Sequence, residues 1–275
     1  MLTNITNLTY KEVLDIRKHI LNTYSAKIHN GLNYYNHLLQ TTSLTSTSIK
    51  NLDNLLGGGL LSGNIYEFCG FSSSGKTQIC FTIAVNISQY FEKCIYYIDT
   101  KHDFSARKLQ NILEERKISE EISGHILNRI KVKHISDQYE LISALYDIKT
   151  ELSEGLNCPL IIIDSLPAIF YRTGNYSNTK TVMNHFVNIA RYVSTELNTV
   201  IIVTNVIVQE DNISANVCGS MSYKPGMGTY WLTVPNTRIL LTKHNHGTCS
   251  LKVIKSTTTQ IDKQCNVSIT KCGVE

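Results

Sequence analysis

The sequence lacks the features of disulfide-rich and membrane-spanning proteins. Eight cysteines are scattered along the chain without a C-x-x-C pair, which predicts small buried side chains in a reducing compartment rather than a disulfide framework. No segment reaches the roughly 18 apolar residues of a membrane span, and the first residues contain no basic segment followed by an apolar run. We therefore expect a soluble intracellular protein with no membrane partner.

A strong excess of one charge is also lacking. The chain has 26 Lys and Arg residues against 22 Asp and Glu residues, a net charge of +4, which is too small to argue for nucleic-acid binding. Hydrophobic residues make up 42% and charged residues 17% of the 275 residues, which excludes wholesale disorder. At about 100 to 200 residues per domain, the length fits one large α/β domain or two small ones.

The N-terminal part of the sequence predicts one helix and a linker. Thr9 and Glu12 match a T-x-x-E capping box, and apolar residues follow at helical spacing, so we expect a helix over residues 10–28. The Ser/Thr-rich stretch 41–48 indicates a linker. We therefore predict an N-terminal part, residues 1–48, and a main domain, residues 49–275.

In the main domain, strand-like and helical segments alternate. Apolar segments typical of strands cover residues 64–69, 94–99, 129–135, 159–164 and 199–205. Helical patterns cover residues 76–91, 104–114, a segment capped by Asp137 and Glu140, and residues 182–197. A hairpin follows over residues 237–255, with its turn at 245–247. This order predicts an α/β fold, a mostly parallel sheet flanked by helices with antiparallel strands at its C-terminal end.

A phosphate-binding loop lies between the first predicted strand and its helix. The residues that match G-x-x-x-x-G-K-S/T are Gly70, Phe71, Ser72, Ser73, Ser74, Gly75, Lys76 and Thr77. Backbone N–H groups of such a loop converge on phosphates, Lys76 reaches the outer phosphates, and the Thr77 hydroxyl is offered to Mg²⁺. The alternative is a Ser/Gly-rich turn, which does not require Lys-Thr at this spacing. The motif predicts ATP and Mg²⁺ as ligands.

Two polar residues close predicted strands at the same edge of the sheet. Asp164 ends an apolar strand and is expected to hold Mg²⁺ through water; the alternative is an Asp that caps the next turn. Asn205 ends the strand 199–205 and is a candidate sensor of the γ phosphate; its alternative role is to form a turn. His244 and His246 near Cys249 predict a solvated turn rather than a metal site.

Further motifs resemble those of the RecA/RadA recombinase family. The residues that carry the resemblance are 49–60, Gly63, Glu67, Gly70, 75–80, 97–100, 224–228, Trp231 and 234–241. The segment 75–80 is similar to the eukaryotic and archaeal strand-exchange recombinases, and the C-terminal segments are similar to their D-type paralogues. The resemblance extends from about residue 30 to residue 255.

The resemblance implies a RecA-like P-loop ATPase core and a role in homologous-recombination DNA repair. It further implies a nuclear location and a heteromeric complex with the C-type and X-ray-repair cross-complementing paralogues, acting on single-stranded or branched DNA. By this resemblance, the first DNA loop contributes cations and aromatic residues, namely Arg172, Lys180, Tyr171 and Tyr176, for which ordinary loop packing is the alternative. Arg129, Lys131 and Lys133 alternate on a strand and are expected to solvate a sheet edge, with DNA contact as the alternative.

The sequence departs from the family pattern in three respects. The family's general-base Glu is replaced by Lys101, so we expect slow ATP hydrolysis unless Asp99 or Asp103 serves instead. The N-terminal part is shorter than the family's usual helical DNA-binding domain. The second DNA loop, residues 206–230, has a net charge of −1 from Glu210, Asp211 and Lys224. Alternative functions are an efficient P-loop NTPase or nucleotide kinase without a DNA role, and a purely structural interaction protein.

Overall fold

A computed structural model describes residues 9–24, 30–171, 176–209 and 223–275. The chain divides into two compact units, residues 1–41 and residues 42–275. The described helices are α1 (Tyr10–Tyr24), α2 (Gly31–Thr41), α3 (Lys50–Leu56), α4 (Lys76–Tyr90), α5 (Ala106–Glu115), α6 (Glu120–Asn128), α7 (Gln138–Ser153), α8 (Leu166–Phe170), α9 (Tyr176–Glu196) and α10 (Gly228–Leu232). The described strands are β1 (Leu44–Thr45), β2 (Leu60–Leu61), β3 (Ile65–Gly70), β4 (Ile95–Asp99), β5 (Ile130–His134), β6 (Leu160–Asp164), β7 (Val200–Gln209), β8 (Tyr223–Pro225), β9 (Thr237–Lys243), β10 (Thr248–Lys255), β11 (Gln264–Thr270) and β12 (Gly273–Val274).

The first unit contains two helices where the sequence analysis expected one. The Thr9 peptide donates to Glu12 Oε2 at 2.7 Å, as the capping box predicts, and α1 follows. The second helix, α2, begins after Asn30, whose Oδ1 accepts a hydrogen bond from the Leu32 peptide at 2.9 Å. No residue of α2 is buried, although its apolar residues Leu32, Tyr35 and Leu39 recur at helical spacing as those of α1 do.

The main sheet of the second unit has the order β12-β11-β10-β9-β3-β7-β6-β4-β5, and β8 pairs with the end of β7. The strands from β9 to β5 are parallel, whereas β10, β11 and β12 are antiparallel to their neighbours. The expected α/β class is confirmed. The predicted hairpin is formed by β9 and β10, and its turn is a short 3₁₀ helix, Asn245–Gly247.

Helices cover both faces of the parallel strands. In β6, Leu160 and Ile162 belong to a core cluster with residues of α3, α4, α5 and α6. Ile161 and Ile163 belong to a second cluster with residues of α7, α8, α9 and α10. A strand that is buried on both faces needs a continuous apolar sequence, and this is why β6 was predictable. The two clusters fix the carboxyl ends of the central strands at one edge of the sheet.

The structure draws the boundary between the two units earlier than the sequence predicted. The second unit begins at Thr42, and β1, inside the predicted linker 41–48, pairs antiparallel with β2. Thr45 and Thr47 are buried. The stretch has the composition of a linker, but its side chains are part of the core unit, which the composition alone does not reveal.

The predicted edge strand lies at the edge of the sheet, where β5 pairs with β4 alone among the described strands. Lys131 pairs with Glu151 at 2.8 Å and Lys133 pairs with Asp147 at 2.7 Å, both carboxylates lying on α7. Arg129 immediately precedes the strand. Arg129 lies 3.5 Å from Glu92, so all three alternating cations are paired within the chain, which favours the structural interpretation over contact with DNA.

No described helix is long and apolar enough to cross a membrane. The cysteines that the structure describes carry free thiols; Cys69, Cys80, Cys158 and Cys249 are buried, and Cys94, Cys265 and Cys272 are partly exposed. Burial raises the pKa of Cys265 to about 11. Cys218 lies outside the described residues.

One carboxylate connects the start of α3 to the segment that precedes it. Asp53 Oδ1 accepts hydrogen bonds from the Thr47 peptide at 2.9 Å and the Thr47 hydroxyl at 2.7 Å. Asp53 Oδ2 accepts from the Ser46 hydroxyl at 2.6 Å and the Ser48 peptide at 3.2 Å. These four hydrogen bonds hold residues 46–48 against the core.

We predict that Asp53→Ala lowers the free energy of unfolding by about 2–3 kcal/mol, because hydrogen bonds to a charged acceptor are lost and Thr47 remains buried without its partner. Urea unfolding followed by circular dichroism measures the change. The matched control is Asn54→Ala, the next residue of the same helix, which is exposed. Equal stability of the two variants would show that residues 46–48 are held by other contacts.

Candidate nucleotide site

The predicted phosphate loop joins β3 to α4 in a tight turn. Gly75 precedes α4 with a φ of +98°, and Ser73 has a φ of +60°. A Cβ added to Gly70 would lie 2.5 Å from the Leu241 carbonyl oxygen and 2.6 Å from Ser74 Oγ. Glycine is therefore required at position 70 by close packing, and at position 75 by the left-handed backbone conformation.

The ammonium group of Lys76 is folded into this loop. Its Nζ donates to the carbonyl oxygens of Gly70 at 2.9 Å and Phe71 at 2.7 Å, and to Ser74 Oγ at 3.2 Å. Burial lowers the pKa of Lys76, and the nearby carboxylate of Asp164 partly offsets that effect. The loop thus holds a cation at its centre on a flexible side chain.

Asp164, at the end of β6, is the most heavily bonded side chain of the site. Its Oδ2 accepts hydrogen bonds from Thr77 Oγ1 at 2.6 Å and from the Tyr97 hydroxyl at 3.0 Å. Its Oδ1 accepts from Thr204 Oγ1 at 2.6 Å and lies 3.3 Å from Lys101 Nζ. Burial on its own raises the pKa of Asp164, but Lys101 and the three hydroxyl donors outweigh burial and lower it. The carboxylate is therefore held in its charged form.

The strand register explains why these groups meet. Asp164 is level with Asp99 of the neighbouring strand β4, and β6 also pairs with β7, which carries Thr204. Thr77 stands in the first turn of α4, directly after the loop. The structure thus brings together the two predicted Mg²⁺ ligands, Thr77 and Asp164.

The turn after β4 presents Lys101 to the site. Asp99 is 2% exposed, and its carboxylate accepts hydrogen bonds from the peptides of Lys101 at 3.1 Å and Phe104 at 2.9 Å. His134 Nδ1 lies 3.1 Å from the same carboxylate. These bonds commit Asp99 to shaping the turn. Asp103 is 67% exposed, and its Oδ2 lies 3.8 Å from Lys101 Nζ.

Asn205, the candidate phosphate sensor, is fully buried in a different set of contacts. Its Nδ2 donates to Glu67 Oε1 and to the Gly226 carbonyl, the latter at 3.2 Å, and its Oδ1 accepts from the Val206 peptide at 2.8 Å. Both N–H groups of the side-chain amide therefore already donate hydrogen bonds. A sensing role would require Asn205 to break one of them.

The sequence analysis did not identify the buried charge pair beside Asn205. Arg238 Nε donates to Glu67 Oε2, and Trp231 Nε1 donates to Glu67 Oε1 at 2.8 Å. Glu67 is completely buried and Arg238 is 4% exposed. The available signal was a Glu inside one apolar strand and an Arg inside another, since charges at such positions need a partner.

The predicted DNA contacts lie at the ends of segments that the structure does not describe. Tyr171 is 56% exposed, and its hydroxyl accepts a hydrogen bond from the Met227 peptide at 2.6 Å. Lys180 is exposed on α9. Tyr176 begins α9, but its side chain lies outside the described part, as does all of Arg172. The bond from Tyr171 to Met227 connects the stems of the two predicted DNA loops.

The second predicted DNA loop, residues 206–230, is described only in part. Residues 210–222, which include Glu210 and Asp211, lie outside the described part, and Lys224 is exposed. Near the hairpin turn, His244 Nε2 lies 2.9 Å from Ser250 Oγ, and Cys249 is buried. Among the described residues, no group of three or more His, Cys, Asp and Glu side chains is arranged to hold a metal ion.

The residues present fit a magnesium nucleotide. Thr77 and Asp164 supply the oxygen donors that Mg²⁺ prefers, 2.6 Å apart, and the missing Cβ at Gly70 lets the loop fold tightly. A cleft of about 490 Å³ lies between α5 and residues 270–271, and Gln78 of α4 also lines it; residues 70–77 do not.

Comparison with known proteins identifies the family. The sequence model of the Rad51 family matches residues 39–275. DNA repair protein RAD51 homolog 4 of Bos taurus is 28% identical over 241 residues, covering 85% of this chain and 72% of the relative. The Mus musculus protein of the same name is 29% identical, covering 85% and 71%. DNA repair and recombination protein RadB of Methanococcoides burtonii is 29% identical over 235 residues, covering 83% and 96%.

Proposed function

We propose that this chain, which belongs to the Rad51 family, is an ATP-binding subunit of a heteromeric paralogue complex that acts in recombinational DNA repair in the nucleus. Members of the family are RecA-like, DNA-dependent ATPases. The observation that carries the proposal is a complete phosphate loop next to Asp164, whose carboxylate contacts both Thr77 and Lys101. The names of the mammalian relatives, DNA repair protein RAD51 homolog 4, support the repair role.

In this proposal the chain's own residues bind and orient the nucleotide. The backbone of residues 70–77 surrounds the phosphates, and Lys76 turns from the loop carbonyls to the outer phosphates. Thr77 and Asp164 would hold Mg²⁺, Asp164 through water, and the ion would supply positive charge against the phosphates. Lys101 stands where the family resemblance calls for a general base, and a charged ammonium accepts no proton.

The lysine at position 101 argues against an efficient NTPase or nucleotide kinase. Lys101 lies 3.3 Å from Asp164, and Asp99 is committed to the peptides of Lys101 and Phe104. Asp103, the remaining carboxylate of the turn, lies beside the Lys101 ammonium. We infer that ATP acts mainly as a ligand that orders the subunit and its interfaces.

Contact with DNA is proposed to be weak in the isolated chain and stronger in the complex. The segment 206–230 has a net charge of −1, so it attracts phosphates poorly. Tyr171, Tyr176, Arg172 and Lys180 are the proposed contacts. We propose the C-type and X-ray-repair cross-complementing paralogues as partners, as the family resemblance implies. In such a complex, several subunits together supply more cations and more binding sites for DNA.

The first prediction of this proposal concerns ATP affinity. Lys76→Ala should lose measurable binding of a fluorescent ATP analogue, because the cation at the centre of the loop is removed. The matched control is Lys133→Ala, which removes an exposed lysine of β5 that pairs with Asp147 and should bind as the wild type does. Equal affinity of the wild type and Lys76→Ala would refute nucleotide binding by the loop.

A second prediction concerns turnover. Wild-type hydrolysis with single-stranded DNA present should be slower than that of a Rad51-family recombinase assayed alongside, because a general base contributes roughly 10² to 10⁴-fold. Lys101→Glu should raise the rate by about ten-fold or more. Lys101→Gln is the matched control, since it removes the cation without supplying a base. If both variants gain equally, charge and not the missing base limits hydrolysis.

A third prediction concerns assembly. The full chain should capture both paralogue partners in a pulldown, with higher yield when ATP is present, and Lys76→Ala should lose the ATP-dependent part. A chain that starts at Thr42 tests the first unit, whose helix α2 has no buried residue; we expect weaker capture without it. If the full chain binds ATP but captures neither partner, the heteromeric role is rejected and nucleotide binding is not.

A further inference from the structure

The Lys101 ammonium lies against the very carboxylate to which the nucleotide's metal ion would be linked. We propose that Lys101 is a resident cation of the nucleotide site, so that the site binds nucleoside triphosphates with little dependence on Mg²⁺. The inference rests on the proposed nucleotide binding and assigns a ligand-binding role to a residue that replaces a catalytic one.

The first step is the saturation of Asp164. A carboxylate offers about four acceptor positions, and Asp164 has four partners: Thr77 and Tyr97 at Oδ2, and Thr204 and Lys101 at Oδ1. A metal-bound water that binds Asp164 must therefore displace one of these partners. The charge of Asp164 is already compensated inside the chain.

The second step is the mobility of the four partners. Thr204 is fully buried and Tyr97 is 1% exposed, so neither hydroxyl can leave without an unsatisfied polar group. Lys101 is 33% exposed and is carried by a long flexible stem from an exposed turn. Its ammonium can shift from Asp164 towards a bound phosphate while staying near the carboxylate.

The third step is the charge of the site. Lys76, Lys101 and Asp164 give a formal sum of +1, whereas a Glu at position 101 would give −1. The other carboxylates of the turn are engaged elsewhere: Asp99 is bonded to peptides of the turn, and Asp103 is 67% exposed and screened by solvent. A lysine in place of a glutamate thus adds two positive charges next to Asp164, which favours the more highly charged, metal-free nucleotide relative to its Mg²⁺ complex.

The test compares nucleotide affinity with and without metal. A fluorescent ATP analogue is titrated into the full-length protein in excess Mg²⁺ and in EDTA, at matched ionic strength, and the ratio of the two dissociation constants is determined. For the wild type, EDTA should weaken binding by no more than about three-fold. In Lys101→Met, which keeps an unbranched flexible side chain one atom shorter and removes its charge, EDTA should weaken binding by about thirty-fold or more.

Two variants serve as controls for the role of charge. Lys101→Arg retains a cation and should keep the small wild-type ratio. Lys133→Met removes a cation from β5 that pairs with Asp147, and should also keep it. Thermal unfolding of each variant without nucleotide checks that it is folded. If Lys101→Met does not fold, the ratio of the two wild-type dissociation constants still tests the proposal, because a wild type that needs Mg²⁺ for tight binding has no resident cation in its place.

The outcomes separate this inference from the function on which it rests. If EDTA weakens ATP binding by the wild type as much as it weakens binding by Lys101→Met, the proposed role of Lys101 is wrong and nucleotide binding itself still stands. Absence of wild-type binding in both conditions overturns both proposals. A small wild-type ratio that Lys101→Met increases and Lys101→Arg preserves supports the inference.

Discussion

The buried carboxylate of Asp164 is the constraint on which the site depends. An ionised group in a protein interior costs several kcal/mol unless it is paired and hydrogen-bonded. Its partners come from separate elements: Thr77 from α4, Tyr97 from β4, Thr204 from β7, and Lys101 from the turn after β4. Because β6 lies between β7 and β4, the strand order supplies donors from both sides. The position of the phosphate-loop helix relative to the sheet is set at the same point.

A second buried charge repeats this arrangement two strands further along the sheet. Glu67 is on β3, between β9 with Arg238 and β7 with Asn205. Trp231 of α10 completes the set. Removing one member of such a buried pair costs about 3–5 kcal/mol, because an uncompensated charge remains. Asn205 also bonds to Gly226, so this cluster holds together the two described segments that precede and follow residues 210–222 in the sequence.

The parts of the fold that were predictable have local signals. Apolar strands, amphipathic helices, and the loop from Gly70 to Thr77 are recognisable in short windows, and β3, α4 and β6 accordingly lie within one or two residues of their predicted limits. The pair β1 and β2 and the start of the second unit depend on tertiary contacts such as those of Asp53. A Ser/Thr-rich segment has the same composition whether its hydroxyls meet water or a buried carboxylate.

The contacts of Lys101 show why one position can change chemistry without changing the fold. Its peptide N–H donates to Asp99, and the Phe104 peptide donates to the same carboxylate, so the course of the turn is fixed by backbone bonds. The side chain at position 101 takes no part in those bonds. It lies 3.3 Å from Asp164 Oδ1, where a charged ammonium balances the carboxylate and accepts no proton. A lysine in place of a glutamate inverts the charge that faces Asp164 without entering the bonds that shape the turn, because the turn is held by Asp99 and not by the residue it presents.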